Sequence, residues 1–275
     1  MQAASESDLF GNIVLMKETR EVVYTAGPAP LDEEAQTFLG SVEEQFATRG
    51  VTIYKARNEV KVIGRFNVKR FGVPGALNRI VYGLFRKPKA VRACLNARTL
   101  MEKGVPTPEP FGYVLHRKGI LLAESYLVTR QSGLGRNMYE FGHGIHPSDV
   151  SDVLAAFGRF SADIHEKGVL HLDYSPGNII FDRTPDGAYL FSLVDVNRMR
   201  FLSRPVTIEE GCRNMCRLWG DEPVQRAIAA AYAEARGADP ERVTRLLMQA
   251  HHRFWQKRDT RWIHTPWSGK EENDQ

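Results

Sequence analysis

The chain changes character once, near its middle, and that change limits its fold more than any other feature. Before Gln131 the apolar residues fall in short β-prone runs with few helical stretches. VTIYKA, EVKVIGRF and NVKRFG follow one another closely, and their alternation predicts an antiparallel meander. Further strands are expected over Phe111–Leu115 and Ile120–Thr129. After Arg136 helical spacing dominates, with helices expected from Ser148 to Lys167, Ile208 to Trp219, Pro223 to Arg236 and Pro240 to Lys257. The polar, glycine-containing stretch Gln131–Arg136 marks the expected boundary, giving a strand-rich domain over 1–130 and a mainly helical one over 131–275. The class is α+β, in two lobes.

Local signals refine this outline. Leu31, Ala35, Phe38, Leu39, Val42 and Phe46 recur at helical spacing behind the acidic turn Asp32-Glu33-Glu34, so one helix is expected from Pro30 to Arg49. Residues 76–103 read as one or two helices broken near Pro88. Ser148 is the expected N-cap of the long helix, and Gly168 its stop. Thr184-Pro185-Asp186-Gly187 has the composition of a hairpin turn. The final SGKEENDQ is expected to be disordered.

With 43% apolar residues the chain has ample material for a core, yet it contains no apolar run long enough to span a bilayer. Its first residues lack the basic-then-apolar order of a secretion signal. Cys94, Cys212 and Cys216 are too few, and odd in number, for a disulfide framework, which fits a reducing cytosol. Cys212 and Cys216 share a helix face, but no second pair completes a metal site.

The segment richest in chemistry is His171-Leu172-Asp173-Tyr174-Ser175-Pro176-Gly177-Asn178, set between a helix and the apolar run Ile179-Ile180-Phe181. A second apolar run ends in Val194-Asp195-Val196-Asn197. Phosphoryl transfer needs a carboxylate to orient the acceptor hydroxyl and take its proton, and oxygen ligands to hold Mg²⁺ against the nucleotide phosphates. Magnesium keeps several waters, so one amide and one carboxylate suffice as protein ligands. A His-x-Asp-x₄-Asn loop puts base and amide on one turn, and the hairpin after it returns Asp195 to the same place. The competing reading is a plain strand-turn-strand with Asp173 as a loop cap and Asn178 as a turn residue. The coincidence of all three positions favours chemistry.

HLDYSPGNIIF, LVDVNRMRF and the later EEGCRNMCRLWG together resemble the bacterial lipopolysaccharide core kinases, the Kdo/heptose kinase family, and most of all its Kdo-kinase-like branch. The likeness runs from about Tyr54 to Trp255. It implies a protein-kinase-like fold that moves the γ-phosphate of ATP to a sugar hydroxyl of the lipid A–inner core. By that resemblance Asp173 is the catalytic base, Asn178 and Asp195 hold Mg²⁺ (or Mn²⁺ in its place), and Lys69 of NVKRF contacts the nucleotide phosphates. A strand holds a lysine firmly enough for that task, but neighbouring Arg70 points to the opposite face and the pattern alone does not say which faces inwards.

Three departures from the protein-kinase pattern stand out. There is no Gly-x-Gly-x-x-Gly loop, so the hairpin Tyr54–Glu59, with Asn58 at its turn, would have to cover the phosphates. The metal motif is Asp-Val-Asn rather than Asp-Phe-Gly, which suits a small-molecule kinase. Most awkwardly, the helix Lys89–Lys103 has Cys94-Leu95-Asn96 where an acid partner for Lys69 is expected, and its one carboxylate, Glu102, lies near the end. His165 and His171 read as structural, the latter bracing the loop.

From Val60 to Met101 there are ten basic residues and no acidic one, interleaved with apolar side chains. Two readings stay open: a face lying on an anionic membrane or acidic glycolipid, and a solvated face over a packed lobe. The basic, aromatic run HHRFWQKRDTRWIHTPW could line the acceptor site or anchor the tail. No nucleic-acid module is present, so the expected partners are ATP and a lipid A-linked sugar at the cytosolic face of the inner membrane. The rival readings are an atypical protein kinase and a pseudokinase that binds lipid or protein.

Overall fold

The computed structural model describes residues 18–24, 31–72, 87–119, 121–142 and 146–256. The expectations for residues 76–86 and for the tail beyond 256 lie outside these. The chain divides into two compact units, and Lys103–Thr107 group with the second although the chain on both sides of them belongs to the first.

The first unit is built on a six-stranded antiparallel sheet. In chain order its strands are β1 (Glu18–Tyr24), β2 (Val51–Lys55), β3 (Asn58–Ile63), β4 (Phe66–Phe71), β5 (Pro110–Lys118) and β6 (Leu121–Arg130), arranged β1-β5-β6-β4-β3-β2. The three β-prone runs of the sequence form the meander β2-β3-β4. Between β1 and β2 lie two short helices, α1 (Glu33–Gly40) and α2 (Val42–Thr48), rather than the single helix expected. Ser41 interrupts them with φ −125° and ψ 21°, outside helical geometry. Asp32 caps α1 by accepting from the Ala35 N–H at 2.9 Å.

Alternation along β4 sends its side chains to two separate cores. Phe66 and Val68 join Phe38, Leu39, Val42 and Phe46 under α1 and α2, with the Phe38 and Phe66 rings stacked at 4.0 Å. Phe71 joins Ala90, Ala93, Cys94 and Leu127 under α3 (Lys89–Glu102). Burying each Phe or Leu stabilises by about 1.5–3 kcal/mol, so a one-residue slip of β4, which would exchange its two faces, is strongly disfavoured. Pro88 stands just before α3, at the predicted break.

The second unit is mainly helical. Its helices are α4 (Val150–Glu166), α5 (Ile208–Met215), α6 (Glu222–Ala235) and α7 (Pro240–Trp255). Asp149, not Ser148, stands at the N-cap of α4, and it makes no side-chain cap bond. Its carboxylate is drawn away by Arg136 at 2.7 Å and the Tyr189 hydroxyl at 2.9 Å. At the other end Gly168 has φ +71°, and a Cβ there would lie 2.6 Å from the Leu202 carbonyl, so only glycine fits this stop. Two small antiparallel sheets carry the loops: β7 (Arg136–Asn137), β9 (Ile179–Arg183) and β10 (Tyr189–Leu193) form one, β8 (Val169–His171) with β11 (Met199–Phe201) the other. The predicted turn joins β9 to β10, closed by the Gly187 N–H on the Thr184 carbonyl at 2.9 Å.

Candidate active site

The loop after β8 is held by what lies on either side of Asp173. His171 is fully buried. Its Nδ1 accepts the Asp173 N–H at 3.0 Å and its Nε2–H donates to the Val194 carbonyl at 3.0 Å. Those partners fix the neutral tautomer, and burial pushes the imidazole further from protonation. Tyr174 is also fully buried, its hydroxyl 2.9 Å from that of Ser161 on α4, and burial raises its phenol out of the titrating range. Between two buried anchors the Asp173 carboxylate is left part-exposed, its side chain 34% accessible.

Asn178 ends a 3₁₀ turn, Pro176–Asn178. Its Nδ2 donates to the Asp173 carbonyl at 2.9 Å, which orients the amide and turns Oδ1, an acceptor, the other way. The β9–β10 hairpin then brings the second motif back: the Val194 N–H donates to the Asn178 carbonyl at 3.0 Å. Asp195 follows with φ +52°, the one positive-φ non-glycine residue among those described. That conformation costs about 1–3 kcal/mol and gathers at functional sites. The Asn197 amide donates to Asp195 Oδ1 at 2.5 Å. The structure thus gathers Asp173, Asn178 and Asp195 on two loops that are bonded to each other.

Behind this loop lies a further set of side chains, of which the sequence singled out only His165. Asn214 on α5 donates to the His171 carbonyl at 2.8 Å and accepts from His165 Nε2 at 3.2 Å. His165 Nδ1 accepts from the Tyr232 hydroxyl at 2.9 Å, and that oxygen accepts from Arg236 at 2.8 Å. Complete burial holds the His165 pKa down to about 4. A Cβ at Gly211 would lie 2.2 Å from the Tyr232 hydroxyl, which explains a glycine inside α5. Thr207 and Glu210 form a capping box that fixes where α5 starts. Arg217, just beyond α5, bonds Asp173 Oδ1 at 2.5 Å. The signal for Asn214 and Arg217 was EEGCRNMCRLWG, which carried the family likeness without naming them.

In the first unit β4 places its two cations on opposite faces of the sheet. Arg70 pairs with Glu59 at 2.7 Å and lies 5.2 Å over the Phe46 ring, on the α1–α2 side of the sheet. Lys69 stands opposite Leu127 in register, on the α3 side, with Nζ 5.4 Å from the Phe71 ring. Asn58 opens β3 opposite Phe71, so it shares that face, and its buried Oδ1 has no hydrogen-bond partner among the described residues. The β2–β3 turn itself is Ala56-Arg57, closed by the Ala56 N–H on the Asn58 carbonyl at 2.9 Å. Cys94 is buried against the sheet and Glu102 is exposed, so α3 presents a thiol where an acid was expected.

Among the described residues no three His, Cys, Asp or Glu side chains cluster as a metal site. No described helix is long and apolar enough to cross a membrane.

No family model and no curated protein matches this sequence. Solved structures do. WaaP, solved in complex with acyl carrier protein, superposes with a TM-score of 0.51 at 15% identity, covering 85% of this chain and 97% of that one. The Rio2 kinase of Chaetomium thermophilum, in its ADP/Mg²⁺-phosphoaspartate complex, gives 0.43 at 12% identity, covering 86% and 82%. The fold is protein-kinase-like. At this identity the likeness speaks for the fold alone.

Proposed function

We propose that the chain is an ATP-dependent phosphotransferase that phosphorylates a sugar hydroxyl, Kdo or heptose, of the lipopolysaccharide inner core. The observation that carries this reading is the Asp173–Asn178–Asp195 set, locked by the bonds from Asn178 to Asp173 and from Val194 to Asn178. The lipopolysaccharide assignment rests on the family resemblance of HLDYSPGNIIF, LVDVNRMRF and EEGCRNMCRLWG.

In this mechanism Asp173 accepts a hydrogen bond from the acceptor hydroxyl. As the oxygen bonds to the γ-phosphorus, the bond from that phosphorus to the β-γ bridging oxygen breaks, ADP leaves, and the hydroxyl proton passes to Asp173. Asn178 Oδ1 and the Asp195 carboxylate hold Mg²⁺, which when bound neutralises phosphate charge. Lys69 holds phosphate, and Asn58, with its buried orphan oxygen, lines the nucleotide side. The acceptor is a lipid A-linked sugar met at the cytosolic face of the inner membrane.

The test is transfer of label from γ-labelled ATP with Mg²⁺ to purified Kdo–lipid A, beside a generic protein acceptor. Labelled glycolipid is expected, and its loss in Asp173→Asn with ATP binding retained. Labelling of the protein alone would overturn the sugar assignment, and failure to bind ATP at millimolar Mg²⁺ would overturn the enzyme.

A further inference from the structure

Arg217 is placed in contact with Asp173 by a turn that is itself held from two sides. The Leu218 carbonyl accepts from His251 on α7 at 3.1 Å, and the Trp219 carbonyl accepts from Gln225 on α6 at 2.9 Å. The guanidinium lies 5.2 Å over the Phe254 ring and bonds Asp173 Oδ1, while about a third of the side chain remains accessible. A fully buried ion pair would be structural, and a fully exposed one would be worth little. This one is stacked, oriented and still open to an incoming group.

We propose that Arg217 is a specificity residue that binds an oxyanion, a carboxylate or phosphate, carried by the acceptor next to the hydroxyl it presents to Asp173. This deepens the phosphotransferase reading and rests on it. Arginine's planar fork engages two oxyanions side by side, so the guanidinium can hold Asp173 with one edge and the acceptor with another. The phosphates of the nucleotide already have Lys69 and the metal ligands assigned to them. Among the described residues, Arg217 is the cation that bonds the Asp173 carboxylate. An acidic sugar therefore binds with its anion on Arg217 and its hydroxyl on the carboxylate, which orients the attacking oxygen.

The full chain, wild type and as Arg217→Gln and Arg217→Lys, is assayed on two acceptor pairs: a Kdo glycoside with its methyl ester, and a heptose phosphate with the unphosphorylated heptose. Acceptor-independent ATP hydrolysis, ATP binding and thermal melting are measured alongside. The wild type should prefer the acid of at least one pair by tenfold or more in kcat/KM, the productive pair naming carboxylate or phosphate. Arg217→Gln should erase that preference, through KM for the acid, while ATP binding and melting temperature stay near wild type. Arg217→Lys should recover part of it. Equal losses on acid and neutral acceptors would reduce Arg217 to a positioning residue for Asp173 and overturn the proposal. A preference that survives Arg217→Gln would also overturn it. Transfer by the wild type to neither pair, with ATP still bound, would instead bring down the sugar-kinase reading and this inference with it.

Discussion

The turn that carries Asp173 and the β2–β3 hairpin are both short, polar connections, yet they are secured in opposite ways. Around Asp173 the side chains are pinned by hydrogen bonds, two of them from full burial: His171 to Val194 and Asp173, Tyr174 to Ser161, and the part-buried Asn178 to Asp173. On β2 every residue is exposed, including Val51, Ile53 and Tyr54, all more than half accessible. This hairpin's turn is closed by backbone, the Ala56 N–H on the Asn58 carbonyl at 2.9 Å, and the Arg57 carbonyl lies so near Gly72 that a Cβ there would stand 2.2 Å from it. A carboxylate that must meet one hydroxyl needs its rotamer fixed by neighbours. A segment proposed to cover phosphates needs only its main chain nearby.

If that contrast is functional, Asp173→Asn should give the largest effect. A general base contributes about 10²–10⁴-fold, so kcat should fall within that range with melting temperature and ATP binding little changed. A fall under tenfold would remove Asp173 from the chemistry.

The acid response of stability comes next. The folded protein holds His165 neutral to about pH 4, whereas the unfolded chain protonates it near pH 6.5. Proton uptake therefore favours unfolding. The contribution is complete above about pH 6.5 and is lost as pH falls towards 4, a change of about 3 kcal/mol. Denaturant titrations across that range check it, and histidine NMR should show one imidazole that stays neutral to about pH 4. His171 shifts in the same direction for the same reason.

Smaller still, Ser161→Ala leaves the buried Tyr174 hydroxyl unbonded and should cost about 1–3 kcal/mol of stability, read by chemical denaturation. It should also lower kcat more than it raises KM for ATP. The smallest effect belongs to Ile53→Thr on the exposed strand, within about 0.5 kcal/mol. A larger loss there would show that the hairpin is held by its side chains after all, and the contrast would fail.

Much of this was legible in the sequence. The meander, α3 after Pro88, the 184–187 turn and the helices of the second unit follow from alternation, spacing and turn residues, signals that act over a few positions. The helix expected over Pro30–Arg49 is two helices because Ser41 breaks it, and α4 starts one residue later than expected, behind an Asp149 whose carboxylate bonds Arg136 and Tyr189 instead of capping. Within the site, Asp173, Asn178 and Asp195 were readable because the fold closes them through adjacent strands. Arg217 and Asn214 were not, because they lie some forty residues from Asp173 and His171 and reach them only through the packing of α5. Which face of the sheet Lys69 takes needed the register with β6, which alternation alone does not supply.

The hydrogen bonds behind the loop all run one way. Arg236 donates to Tyr232, Tyr232 to His165, His165 to Asn214, and Asn214 to the His171 carbonyl. Such a polarised row has no member that can be swapped alone, since any single replacement reverses or orphans its neighbours. Across related sequences these four side chains should therefore be inherited as a block, changing together or staying put.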